Sequence, residues 1–207
     1  MLNKLCHTSS NVVAKPIGDV ARVSVEGSHT TKHYKAFEFY GNIYEIGDTV
    51  FLAPESSQGG IVKPYVAIIR EISQKNNGRI MLTVQWFYRP EDVETKKGKI
   101  LESNDSRDLF YSFHKNEIAA ESILHKCVVH FIPEHNLIPK RKEHPGFIVQ
   151  KVYDLYSKRL LKLNDTGYIE FMQQEIDQLV DKTMCRLGIV PDARNQDLAA
   201  DCKVRKE

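Results

Sequence analysis

Residues 62–88 carry the feature that most restricts the fold. Two runs rich in β-branched and aromatic residues, VKPYVAIIREI (62–72) and RIMLTVQWFY (79–88), flank the segment SQKNNG. β-branched and aromatic side chains fit a pleated surface, and Asn and Gly supply turn conformations, so the pattern predicts a long antiparallel hairpin. Such a hairpin is stable only when other elements cover its apolar face. The flanking sequence offers them. DVARVSV (19–25) alternates like a short strand, and EGSHTTKH (26–33) reads as a loop. YKAFEFYGNIYEIGDTVFLAP reads as a hairpin turning at Gly41-Asn42, then a turn at Gly47-Asp48 and the strand TVFLA. LFYSFH (109–114), KCVVHFI (126–132) and the pair GFIVQKVYD and RLLKL (146–163) are the later strands. PESSQGG (54–60), the charged stretch 89–108 and PEHNLIPKRKEHP (133–145) are loops.

The period changes after Asp165. Ile169, Met172, Ile176, Leu179, Val180, Met184 and Leu187 recur at three- and four-residue spacing, which predicts an amphipathic helix ended by Gly188 and Pro191. The expected organisation is a flexible arm over 1–19, a β-domain over 20–163, a C-terminal helix over 164–188 and a disordered polar tail over 189–207. The helix either packs on the β-core or is offered to a partner.

Several function classes are disfavoured. The 29 basic and 27 acidic residues are interspersed and leave a net charge of +2, unlike the basic surface of a dedicated duplex-binding protein. Cys6, Cys127, Cys185 and Cys202 form no CxxC pair, and Cys127 with His130 lacks a second ligand pair, so thiols in a reducing compartment and no metal are expected. No apolar run approaches the roughly 20 residues of a membrane span. The start MLNKLCHTSSN is too short and polar for a signal peptide, so an intracellular soluble protein without membrane contact is expected. Glycine-rich phosphate loops and nucleophile–base patterns are missing, and His114 with Glu117 and Glu121 lacks a nucleophile or cofactor. The expectation is a non-enzyme with no cofactor.

The end of the second hairpin arm, TVQWFYRPED, holds the only tryptophan and two more aromatics in consecutive positions. Strand alternation sets Trp86 and Tyr88 on the same side as Ile80, Leu82 and Val84. A turn centred between Asn76 and Asn77 pairs Tyr65 with Tyr88 and the small Ala67 with Trp86, bringing three rings to one open end. A turn centred on Asn77 instead sends Tyr65 to the opposite face. Such rings either close a core or hold a methylated ammonium, which is weakly hydrated and is attracted to each ring by about 0.5–2 kcal/mol.

The segments HYKAFEFYGNIYEIGDTVFLAPE, KPYVAIIREI, TVQWFYRPEDVE, RDLFYSFHKNEIAAESILHKCVVHFIPE and PGFIVQKVYD, in this order from His33 to Asp154, resemble the bromo-adjacent homology (BAH) domain. The resemblance is greatest to plant BAH proteins that read histone tails. It implies a twisted antiparallel barrel-like core, which with the helix expected from the spacing makes a mainly β fold with one C-terminal amphipathic helix. It implies Tyr65, Trp86 and Tyr88 as a cage for trimethyl-lysine 27 of histone H3, and with it the pairing centred between Asn76 and Asn77. His114 matches the histidine of a His-x-Asp segment that contacts the histone backbone. Asn116 stands where that pattern has aspartate and Ala119 where it commonly has proline; Glu117 is the neighbouring source of negative charge. The implied role is a nuclear histone reader that acts with protein partners in repression or transcript-processing complexes. The alternative is a BAH scaffold for protein–protein contacts, or a general nucleosome binder, with little methyl-lysine affinity. Lys140, Arg141 and Lys142 are the candidate nucleosome or nucleic-acid contacts, and direct DNA contact is expected to be weak at most.

Overall fold

The computed structural model describes residues 12–54, 63–94, 105–165 and 167–188. The start of the expected arm, most of the 54–60 loop, the centre of the charged stretch, Cys6, Cys202 and the polar tail lie outside the described residues. In chain order the strands are β1 (Lys15–Ile17), β2 (Arg22–Glu26), β3 (His29–Tyr34), β4 (Ala36–Phe39), β5 (Asn42–Glu45), β6 (Thr49–Leu52), β7 (Tyr65–Gln74), β8 (Ile80–Tyr88), β9 (Asp108–Ala119), β10 (Ile123–Lys126), β11 (Val129–Phe131), β12 (Phe147–Asp154) and β13 (Arg159–Lys162). One helix follows, α1 (Glu170–Leu187). The fold is mainly β with a C-terminal helix, as expected, and its sheets have open edges.

The chain divides into two compact units, Met1–Gln85 with Lys115–Lys126, and Trp86–His114 with Cys127–Glu207. In the first, β1 pairs with β4 and β4 with β5, while β10, β6 and β7 are successive antiparallel neighbours. Phe37, Tyr44, Leu52, Ile68, Ile72 and Leu82 are among its fully buried side chains. In the second, β12 lies between β9 and β11 and is parallel to both, and β13 returns antiparallel to it. The α1 helix docks on this unit. Met184 packs with Ile132 and Ile148, flanked by Val180 and Leu187, and Thr183 Oγ1 accepts the Phe131 amide at 3.0 Å. The helix is therefore core in its own unit, and its Gly188 cap is left-handed with φ +73°.

Four local expectations are corrected. The stretch 26–33 is not all loop, because β3 occupies His29–Tyr34 and pairs with both β2 and β7. Its polar, threonine-rich sequence hides a strand that is largely exposed and so lacks apolar alternation. The first hairpin turns at Tyr40-Gly41, both at positive φ, with Phe39 paired to Asn42. The helix begins at Glu170, past Gly167 and the extended Ile169. Finally, the β7–β8 turn is centred on Asn77, not between Asn76 and Asn77. The Lys75 amide donates to the Arg79 carbonyl at 3.1 Å and the Gly78 amide to the Lys75 carbonyl at 2.9 Å. Gly78, at φ +80°, supplies the left-handed residue that a three-residue loop requires. Farther along the hairpin, the Arg70 side chain donates from Nε to Gln85 Oε1 at 2.7 Å.

Candidate functional site

Strand β8 changes character at its end. Ile80, Leu82 and Val84 are buried and alternate with half-buried Met81 and Thr83; then Gln85 and Phe87 are buried while Trp86 and Tyr88 are half-buried. The change of phase falls where the strand leaves the first unit for the second. Phe87 turns to the second unit's core, against Tyr111 and Phe131 with ring centroids 5.5 and 6.0 Å away. The rings of the opposite parity, Trp86 and Tyr88, keep solvent access. Beyond Tyr88 the strand cannot continue, because Pro90 lacks an amide and opens a single turn of 3-10 helix, Pro90–Asp92. Arg89 lies over the Phe147 ring at 5.7 Å.

Neighbouring groups hold these two residues. The Ser112 hydroxyl donates to the Trp86 carbonyl at 2.9 Å. Tyr88 Oη is 2.7 Å from His114 Nδ1, and the two rings are stacked 6.3 Å apart at 24°. The buried Tyr153 meets Tyr88 edge-on at 5.3 Å and its own hydroxyl donates to the Glu94 carbonyl at 3.0 Å. Burial pushes the Tyr88 phenol above its ordinary pKa, with Tyr153 and Asp92 adding to the rise, so the hydroxyl keeps its proton. Sequence reading missed Ser112 and Tyr153. A buried serine within the apolar YSF run is the signal that could have found the first; Tyr153 reads as one more core ring.

The other expected site residues lie in the first unit or outside this cluster. Tyr65 opens β7, pairs with Leu52 of β6 and is 42% exposed, whereas Ala67 is fully buried. Asn116 and Glu117 are exposed on the later part of β9. The Glu117 carboxylate already has a partner, the Lys75 ammonium at 2.7 Å. Lys140, Arg141 and Lys142 form an exposed turn in which the Glu143 and His144 amides donate to the Lys140 carbonyl. This turn is tied down by Arg107, which donates to the Pro139 carbonyl at 3.0 Å and is paired with Asp105.

Among the described residues no three His, Cys, Asp or Glu side chains gather as metal ligands. His130 is buried between the Pro145 carbonyl, 3.2 Å from Nε2, and the Arg186 guanidinium, 3.1 Å from Nδ1. No helix of the described residues is long and apolar enough to cross a membrane.

The sequence model of the BAH domain matches residues 42–164. Among characterised proteins, the chain is 28% identical over 88 residues to the chromatin remodeling protein EBS of Arabidopsis thaliana, covering 42% of this chain and 35% of that one. It is 27% identical over 97 residues to the DNA (cytosine-5)-methyltransferase CMT2 of the same plant, covering 47% of this chain and 7% of that one. The chain thus spans about a third of one relative and under a tenth of the other. Among solved structures, the crystal structure of the yeast Rsc2 BAH domain superposes with a TM-score of 0.50 at 19% identity, covering 64% of this chain and 55% of that one. That likeness concerns the fold. With more than half of its length matched by the family model, this chain belongs to the BAH-domain family.

Proposed function

We propose that this protein is a nuclear histone reader that binds a methylated lysine, trimethyl-lysine 27 of histone H3, and works within a complex that represses transcription or processes transcripts. The observation that carries this reading is the half-open pair Trp86 and Tyr88 at the end of β8, on the opposite parity from the buried Phe87. Two half-buried aromatic residues, of which Tyr88 is held by Tyr153 and His114, suit a trimethylammonium group, which donates no hydrogen bond and is held by ring quadrupoles. The family resemblance implies Tyr65 as the third ring, and Tyr65 is 42% exposed. His114 and Asn116 orient the peptide beside the lysine, and Glu117, although paired with Lys75, leaves its charge near the tail's basic residues. An exposed pair of this kind is weak enough to exchange partners. Lys140, Arg141 and Lys142 add at most a weak, salt-dependent contact to nucleosomal DNA. The similarity to a chromatin remodeling protein supports the nuclear setting.

Calorimetric titration with unmodified and methylated H3 peptides tests the reading. The trimethylated peptide binds at least roughly tenfold tighter than the unmodified one, and Trp86→Ala erases the difference. A wild-type protein that does not distinguish the peptides is instead a BAH scaffold for protein–protein contacts.

A further inference from the structure

The Tyr88–His114 contact constrains more than ring position. A phenol is a better donor than an imidazole N–H, and an imidazole nitrogen is a better acceptor than a phenol oxygen. The two are hydrogen-bonded at 2.7 Å, and these relative strengths favour the Tyr88 hydroxyl as donor and His114 Nδ1 as acceptor. Nothing else competes for that hydroxyl among the described residues, and Tyr153 and the stacked imidazole fix the ring that carries it. A neutral imidazole that accepts at Nδ1 carries its proton on Nε2. That Nε2 has no hydrogen-bond partner among the described residues, while the His114 amide already donates to Ser112 Oγ at 3.3 Å.

We infer that Tyr88 has two separable roles: its ring faces the methylammonium, and its hydroxyl sets the tautomer of His114 so that Nε2–H donates to a main-chain carbonyl of the bound peptide. Tyr88 is thereby the positioning residue of His114, and it couples the methyl-dependent and methyl-independent parts of recognition. The ligand half of this inference rests on the histone-reader reading; the tautomer half rests on the Tyr88–His114 contact and the donor strengths of the two groups.

Long-range nitrogen–proton NMR of the full chain reads the tautomer directly, with Tyr88→Phe as the variant, since phenylalanine keeps the ring. Wild type shows His114 protonated on Nε2, and Tyr88→Phe abolishes that preference. The same variant weakens trimethylated and unmodified H3 peptides by one common factor, roughly threefold to tenfold, the effect of one hydrogen bond. His114→Ala then costs less affinity in the Tyr88→Phe background than in wild type. A wild-type His114 protonated on Nδ1, or a Tyr88→Phe tautomer unchanged from wild type, overturns the proposal. So does a Tyr88→Phe effect confined to the trimethylated peptide. A wild-type protein with the Nε2–H tautomer that binds neither peptide upholds the positioning and removes the histone reading.

Discussion

Gly146 shows how single residues fix the second unit. It adopts φ +138°, and a Cβ there would lie 2.7 Å from the Val128 carbonyl and 3.1 Å from His130 Nε2. The obstacle is backbone, which cannot swing aside as a side-chain tip could. Gly146→Ala should destabilise the protein by roughly 1–3 kcal/mol, read as a lower urea midpoint with unchanged slope. The residue-level picture of the site was partly legible in the sequence. Strand alternation separates Trp86 and Tyr88 from Phe87, but the depth of each ring depends on which core lies against each face, and that is tertiary information. The ion pair between Glu117 and Lys75 was illegible for the same reason: it joins residues far apart in sequence.

Among the elements, the β7–β8 hairpin and α1 were the most legible, because long periodic runs leave few alternatives. Turn centres were not. The Asn-Asn-Gly sequence permits both a two-residue and a three-residue loop, and the left-handed Gly78 selects the latter. Strand β3 escaped notice because its inward positions Thr31 and His33 are polar and only half-buried, which leaves no apolar alternation to display. The helix-to-strand contact carries its own titration. Burial holds the His130 imidazole below its ordinary pKa, and the nearby Arg186, His144 and Arg107 act in the same direction, opposed by the bond to Pro145. The folded state thus keeps His130 neutral while the unfolded chain takes up a proton below about pH 6.5. Its stabilising contribution is full above that pH and declines as pH falls toward the depressed folded value. Urea midpoints recorded between pH 7.5 and 5.5 should fall in wild type, and His130→Gln should flatten that fall.

For the whole molecule, the predominance of strands and the single C-terminal helix were readable, and they gave the fold class, although β1, β3 and β10 were not expected. The division into two units was not, since β8 and β9 each contribute to both and nothing in their sequences marks the boundary. Surface charge is the other property of this scale. Lys140 is 82% exposed at its side chain, with Glu143 3.5 Å away, so the basic turn is partly compensated. Reversing Lys140 and Arg141 to glutamate should leave H3-peptide affinity unchanged. It should reduce the logarithmic salt slope of nucleosome binding by no more than about 2, measured across a sodium chloride series. The proposed cage is tested most directly by replacing the trimethylammonium of the H3 peptide with a neutral tert-butyl group of the same shape. Attraction between a cation and half-open aromatic faces predicts that the neutral peptide binds at least roughly tenfold more weakly. Equal or tighter binding of the neutral peptide would contradict it, because a merely apolar pocket gives the cation no compensation for its greater desolvation cost.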